Sequence, residues 1–475
     1  MITFTKYFLF LSAASAFSIP NVKLGSRLGD GSSRTELRMS DDAAISLSDD
    51  KRVVVTGLGV ISGCGIGAVD FFEACLEGKS SINKVKRFDA TYMPCQIASE
   101  VPDDMFDPTD YFANPKNARS SDRYTHFAVA AAKQALEDAK LGNTPDTLEN
   151  PERVGVIVGS AFGGMETFER ETLKLAKKPE RPRVSPFTIP ALLGNSASGV
   201  IGIECGCQGP NYGIVSACAS ASHAIGEAMG MIRDGHVDIM VAGGTEATMT
   251  PLCFAGFCAM KAMNTDYNDN PKGASRPFDA DRGGFIMGEG AGVVVIESLS
   301  SAKKRGVPIY AELVGYGASC DAHHITTPAP GGRGLAKAME MAITMSGMEK
   351  EEISYVNAHG TSTAYNDKFE TMALKTVFGD HAINKKMVVS STKGVTGHTL
   401  GAAGGLEAII AALSIKHDVV PPTINYETPD PECDLDYVPN VKREMIVTGA
   451  MSTNLGFGGH NAALLFKKYK EEGGR

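Results

Sequence analysis

Cys218 lies in Gly213-Ile214-Val215-Ser216-Ala217-Cys218-Ala219-Ser220, a β-branched run that passes into small residues. Two histidines each occupy a turn rich in glycine and hydroxyls. His359 sits in Asn357-Ala358-His359-Gly360-Thr361-Ser362-Thr363, and His398 closes Lys393-Gly394-Val395-Thr396-Gly397-His398, thirty-nine residues later. A thiol that can be acylated and two imidazoles that can donate to a carbonyl are what carbon–carbon condensation on a thioester needs.

A lone cysteine among alanines is most often a small buried hydrophobe. The context of Cys218 says more, because it follows a strand-like run and opens a helical one. A helix start offers unpaired N–H groups and a positive dipole end, which favour thiolate over thiol and can hold an oxyanion. Ala217, Ala219, Ser220, Ala221 and Ser222 are small enough for a tight strand-to-helix turn that projects the sulfur. One histidine in a loop is ordinarily a hydrogen-bonded or surface residue. Two in equivalent turns after strand ends point to the edge of a sheet where α/β sites form.

Asp367 and Glu370 stand three residues apart on one helical face. They read either as a solvated helix start or as carboxylates that hold Lys393 or fix a histidine tautomer. These acids and the two histidines could ligate zinc, but no HExxH-like spacing supports it, so no metal or other cofactor is expected. Gly456-Phe457-Gly458-Gly459-His460-Asn461 lacks the Lys-Ser/Thr of a phosphate-binding loop. Glycines around one phenylalanine suggest instead a mobile aromatic gate, with a backbone N–H free for a second oxyanion contact.

The elements that must carry these turns are short apolar strands alternating with helices. Strands are expected at 52–59, 153–159, 214–217, 237–243 and 292–297, with helices at 127–140 and from about 218 to 234. The pattern then repeats: strands at 310–315, 353–357 and 387–391, helices at 334–346 and 401–415, and a closing pair of strands at 444–452 and 461–467. This predicts α/β architecture with largely buried sheets, in two similar halves at 51–305 and 306–470 packed together.

A net charge of −9 argues against nucleic acid, and an acidic partner protein needs a local basic patch. The ten cysteines show no CxxC pair, and Cys205-Gly206-Cys207 has no matching pair, so reduced thiols are expected. Residues 1–17 read as a signal segment, Lys6 followed by an apolar run and small residues, too short to span a bilayer. Residues 18–45 read as a basic, hydroxylated transit-like segment. Together, with Ala16-Phe17 at the junction, they resemble the bipartite plastid leader of algae with secondary plastids and predict the plastid stroma. A mitochondrial or plain secretory route is the alternative. No later stretch reaches about 18 uninterrupted apolar residues, so no membrane span is expected in the mature chain.

Taken in order, VVVTGLGV, GPNYGIVSACAS, VAGGTEA, ASRPFDADRGGFIMGEGAG, NAHGTST, STKGVTGHTLGAAG, PPTIN and GFGGHN resemble the β-ketoacyl-[acyl-carrier-protein] synthases, elongating type I/II class and closest to type II, over about residues 51–468. The resemblance implies a thiolase-like fold, five αβαβα layers from two related halves, and a homodimer. It implies that Cys218 accepts the acyl chain and that His359 and His398 are the active-site histidines. It further implies that Lys393 supports them, that Glu370 and Asp367 fill the acidic positions, and that Phe457 gates the site. The N–H groups of Phe457 and Cys218 would form the oxyanion hole. Lys116, Arg119, Arg183 and Lys261 fall near positions that dock acyl carrier protein, and Ser362 and Thr363 look like turn-formers. The reaction implied is decarboxylative Claisen condensation of acyl-carrier with malonyl-carrier, without metal or organic cofactor.

Departures are few: Thr453-Asn454-Leu455 where Asn-Ser-Phe is common, and Ala364-Tyr365-Asn366 where Pro-Ala-Gly is frequent. They bear on the pocket wall and substrate length. Thiolases fit worse because Cys433 lies outside any second-cysteine motif, and initiating type III synthases carry asparagine for one histidine. Three rivals stay open: a polyketide-type synthase of the same fold, a silent chain-length-factor partner, which Cys218 argues against, and a cysteine hydrolase.

Overall fold

The computed structural model describes residues 47–471; the 1–17 signal segment and the 18–45 transit-like segment lie outside the described residues. The two expected halves belong to one folded unit, Ser46–Arg475. The first half contributes β1 (Val53–Ser62), β2 (Val154–Gly159), β3 (Asn211–Ile214), β4 (Ile239–Glu246) and β5 (Gly290–Ser298). The second contributes β6 (Ala311–Cys320), β7 (Tyr355–Asn357), β8 (Val388–Ser390), β9 (Gly449–Gly456) and β10 (His460–Lys467).

Strand order is β3-β2-β4-β5-β1 in one half and β8-β7-β9-β10-β6 in the other. In each half the first two pairings are parallel and the last two antiparallel. The same chain order and the same pairing senses recur, so the halves are copies of one topology. They join edge to edge, where Val53, Val54 and Val55 pair with Leu313, Glu312 and Ala311.

Side-chain alternation along the strands defines the layers. In β2, Val156 and Val158 face one core with Ala128, Ala131 and Ala135 of α1 (Arg123–Asp138), while Ile157 faces the central core with Ile225 and Ala228 of α2 (Ser220–Arg233). In β7, Val356 packs with Ala338 and Met339 of α3 (Arg333–Ser346) and with Ala373 and Leu374 of α4 (Ala364–Phe378). Tyr355 faces the central core with Ile409 and Ile410 of α5 (Ala403–His417). Helices α2 and α5 are therefore sandwiched between the two halves of the sheet, each half with helices on its other side. This is the expected five-layer αβαβα arrangement. Every residue of α5 from Ala403 to Ile415 is buried, and an all-round apolar helix is what a central layer requires.

Both first strands press directly on an outer helix. A Cβ on Gly59 would lie 1.8 Å from the carbonyl oxygen of Ala131, and one on Gly317 would lie 1.9 Å from that of Ala338. Backbone cannot yield there without separating helix from sheet. Gly59→Ala and Gly317→Ala are each expected to cost about 3 kcal/mol or more, read by denaturant unfolding. A loss below about 1 kcal/mol would show that the layers can slide.

Several boundaries shift by a few residues, and two of the shifts have a local cause. The strand expected at 214–217 ends at Ile214, because Val215 is 65% exposed and Ala217 has already turned to φ 51. The closing strand expected from 444 begins at Gly449. Arg443 and Glu444 instead pair with Val420 and Val419 in a separate ribbon, since the charged run around them does not suit a buried sheet. All ten cysteines are free thiols. Among the described residues, no helix is long and apolar enough to cross a membrane.

Candidate active site

Cys218 sits in a short 3-10 turn, Ala217–Ala219, just before α2. Ala217 is held at φ 51, a conformation that costs a non-glycine residue about 1 kcal/mol or more. The turn is pinned by Ser220, whose Oγ accepts from the Ser216 N–H at 2.8 Å and donates to the Ala217 carbonyl at 2.7 Å. Gly456 lets the last glycine loop press against it: a Cβ there would meet the Ser216 oxygen at 2.6 Å. That approach brings the Phe457 N–H to hydrogen-bond the Cys218 sulfur.

His398 Nε2 lies 3.1 Å from Cys218 Sγ. The His359 and His398 rings stand edge to face with centroids 5.1 Å apart. Backbone bonds fix His398: its N–H donates to Ile286 O at 2.7 Å, and its carbonyl accepts from Gly288 N–H at 2.9 Å. His359 is fixed by Glu370, which accepts from the N–H groups of His359 and Gly360 and from Thr453 Oγ1, each at 2.8 Å. Asp367 closes the same turn by accepting from Phe278 N–H at 2.8 Å and Ser362 N–H at 3.2 Å. Both carboxylates are fully buried. The solvated reading of these acids is therefore incorrect, and they bind backbone rather than Lys393 or an imidazole ring. Burial raises both, Glu370 to about 7.

The partner of Lys393 is Glu407, a residue the sequence reading passed over. Lys393 Nζ pairs with one Glu407 oxygen, and Asn454 Nδ2 donates to the other at 2.6 Å. Asn454 Nδ2 also lies 3.2 Å from His359 Nδ1, and its Oδ1 accepts from Ser222. Only an amide N–H can face the carboxylate, so the orientation of Asn454 is set. His359 Nδ1 is then the acceptor, and its Nε2–H points into the site. Among the described residues, His398 Nδ1 has no hydrogen-bond partner, so no protein group there locks its tautomer. Glu407 was detectable as the single charge within an otherwise apolar helical run, residues 401–415. Asn454 stood out only as a departure from a common pattern.

Burial, with Lys393 nearby, holds both imidazoles well below the usual histidine range, so they are neutral at pH 7. Burial also pushes the Cys218 thiol up to about 12, with the Lys393 charge opposing. The helix start was expected to favour thiolate. Burial opposes that effect, and His398 Nε2 stands 3.1 Å from the sulfur, within reach of the thiol proton.

Glu246, at the end of β4, was also passed over. It accepts from Ala161 N–H at 2.7 Å, Gly401 N–H at 3.0 Å, Ser160 Oγ at 3.1 Å and Phe162 N–H at 3.3 Å. It thereby ties one wall of the site to the turn after His398. Burial raises it to about 7. Between pH 4.5 and 7 the folded chain keeps a proton that the unfolded chain has shed, so this group lowers wild-type stability as pH rises. Glu246→Gln removes that titration. The stability of the variant relative to wild type should improve by on the order of 3 kcal/mol across the window. Denaturant unfolding at several pH values reads the difference, and a flat difference would contradict it.

Cys218, His359, His398 and Phe457 open on a cavity of about 1030 Å³ whose walls include Met165, Phe257 and Leu455. Lys261 lines the same cavity. Lys116, Arg119 and Arg183 are exposed and lie outside its lining.

Two family models match the chain: Beta-ketoacyl synthase, N-terminal domain, over residues 50–302, and Beta-ketoacyl synthase, C-terminal domain, over residues 310–427. The 3-oxoacyl-[acyl-carrier-protein] synthase 2 of Synechocystis sp. is 49% identical over 421 residues, 88% of this chain and 99% of the relative. The protein of that name from Staphylococcus aureus is 48% identical over 424 residues, 89% of this chain and 100% of the relative. A beta-ketoacyl synthase structure from Burkholderia phymatum matches with TM-score 0.80 and 33% identity, covering 88% of this chain and 100% of its own. A type II PKS acyl-carrier protein in complex with its ketosynthase matches with TM-score 0.80 and 32% identity, covering 88% and 99%.

Proposed function

The chain belongs to the beta-ketoacyl synthase family, and from that premise we propose how its site works as a 3-oxoacyl-[acyl-carrier-protein] synthase in fatty-acid elongation. The observation that carries the reading is a buried thiol 3.1 Å from one neutral imidazole, with a second facing it. A cysteine hydrolase needs only one histidine.

Acylation comes first. Cys218 gives its proton to His398 Nε2 as the sulfur attacks the acyl thioester. The tetrahedral oxyanion is held by the N–H groups of Cys218 and Phe457. Collapse expels the carrier thiolate, which takes the proton back from His398. Malonyl-carrier then enters. His359, locked as an Nε2–H donor, and His398, once its ring proton has moved from Nδ1 to Nε2, donate to the malonyl thioester oxygen as carbon dioxide leaves and the carbanion forms. That carbanion attacks acyl-Cys218, releasing 3-oxoacyl-carrier and a thiolate, which is reprotonated from solvent. The Lys393–Glu407–Asn454 chain holds His359 in register. The apolar cavity takes the acyl chain.

The test is incubation with malonyl-carrier and acyl-carrier substrates of graded length, with mass analysis of products. Chains longer by two carbons support the reading. Acyl release to water without condensation supports the hydrolase, and repeated unreduced extension supports a polyketide-type synthase.

The partner is acyl carrier protein, and Lys116, Arg119, Arg183 and Lys261 are the docking candidates. Exposed basic residues suit an acidic carrier on a chain of net charge −9. A homodimer is supported by β3, which among the described residues pairs only with β2 and so leaves an open edge. Beside it stand exposed Leu193, Ile203 and Val215. The plastid stroma is the proposed location on the strength of the 1–17 and 18–45 segments, and a fluorescent fusion of those residues tests it.

A further inference from the structure

We propose that His223 is a positioning residue that sets the spacing of the two oxyanion N–H groups, an inference that rests on the acyl-transfer reading above. Those groups come from distant segments. Cys218 lies in the turn between β3 and α2, and Phe457 lies in the glycine loop between β9 and β10. The first segment belongs to one half of the sheet and the second to the other, so strand pairing does not set one against the other. His223 projects from the first turn of α2 and does not line the cavity. Its ring spans the two segments. Nδ1 lies 2.6 Å from Ser216 Oγ, just before the Cys218 turn, and Nε2 lies 3.4 Å from the backbone oxygen of Asn461, just after the Phe457 loop.

A carbonyl can only accept, so Nε2 carries the ring proton and Nδ1 accepts from the Ser216 hydroxyl. Burial holds the ring below the usual histidine range, which keeps it neutral and Nδ1 able to accept. Tyr316 and His460 stand edge to face against it, with centroids at 6.3 and 6.5 Å, and confine its plane. Contact at Gly456 limits how close the segments come, since a Cβ there would meet Ser216 O at 2.6 Å. The imidazole limits how far apart they move. Only acyl transfer builds an oxyanion between the two N–H groups. Alkylation of the same sulfur by a haloacetamide needs the same loss of the thiol proton but forms no tetrahedral oxyanion. Malonyl decarboxylation draws on His359 and His398 instead. Loss of the ring should therefore fall on acyl transfer alone.

The experiment compares His223→Ala, His223→Gln and Ser216→Ala with wild type in the full chain. Acylation of Cys218 by an acyl-carrier thioester and its alkylation by iodoacetamide are each timed by mass, with the adduct located by peptide mapping. Acylation should fall about 10- to 100-fold in His223→Ala, while alkylation and malonyl-carrier decarboxylation stay within about twofold of wild type. Ser216→Ala removes the other end of the same hydrogen bond and should show the same pattern, and the double variant should lose no more than the worse single one. His223→Gln, whose amide also carries one acceptor and one donor, should recover part of the acylation rate. Should His223→Ala fail to fold, Ser216→Ala decides alone. Equal losses in acylation and alkylation would reduce His223 to a packing residue, and unchanged acylation in the single variants would overturn the proposal. Wild-type protein that is acylated but does not condense would overturn only the elongation reading; wild-type protein that is never acylated would overturn both.

Discussion

Cys218→Ala is expected to lower condensation at least about 10⁴-fold while malonyl-carrier decarboxylation continues. The asymmetry follows from the geometry. The sulfur is the atom that holds the growing chain, and among the described groups no other thiol lines the site beside both imidazoles; Cys253 shares the cavity but not that contact. Asn454 and Glu370 hold His359, and Ile286 and Gly288 hold the backbone of His398; of the two rings the sulfur touches only that of His398, at 3.1 Å. Alanine therefore removes the acyl acceptor and leaves the two donors where they were. Intact-mass analysis after exposure to acyl-carrier should show no adduct, and carbon dioxide release should persist. Full elongation by the variant would remove Cys218 from the mechanism. Loss of both activities with a normal unfolding curve would instead mean that the sulfur helps to place the malonyl unit.

The residues that touch substrate were legible in the sequence because each sits at a local signal. A β-branched run meeting small residues marks Cys218, and glycine–hydroxyl turns after strands mark His359 and His398. The layers were legible too, since helical and strand periods alternate twice. What escaped was long-range. Glu407 meets Asn454 across 47 residues and His359 meets Asn454 across 95, and nothing local in either segment names its partner. Asp367 and Glu370 were drawn to the right turn but to the wrong atoms: once fully buried, a carboxylate satisfies the nearest N–H groups first. At Cys218 two effects that a local reading cannot weigh act in opposite directions. A helix terminus acts over one turn, whereas burial removes water from every side of the sulfur. The 214–217 strand ran long because Val215 is β-branched, yet in the fold it is exposed.

His359→Ala and His398→Ala are expected to fail at different steps. Each removes one donor to the malonyl carbonyl, so decarboxylation should fall about 10²–10³-fold in both. Acylation should separate them. His398 is the base within reach of the thiol at 3.1 Å, and a thiol pushed up to about 12 supplies almost no thiolate at pH 7 on its own. His398→Ala should therefore acylate about 10²–10⁴-fold more slowly, and raising the pH should restore part of that rate by ionising the thiol directly. His359→Ala should acylate at near the wild-type rate, because Asn454 locks its Nδ1 as an acceptor and its Nε2, already protonated, cannot take the proton of the thiol. Time-resolved intact mass measures acylation, and carbon dioxide release measures the second step. Equal acylation defects in the two variants would show that the imidazoles act as one unit. A pH rescue in His398→Ala alone would place the proton on His398, and Asn454, which fixes His359 as an Nε2–H donor, would then be the reason the labour divides.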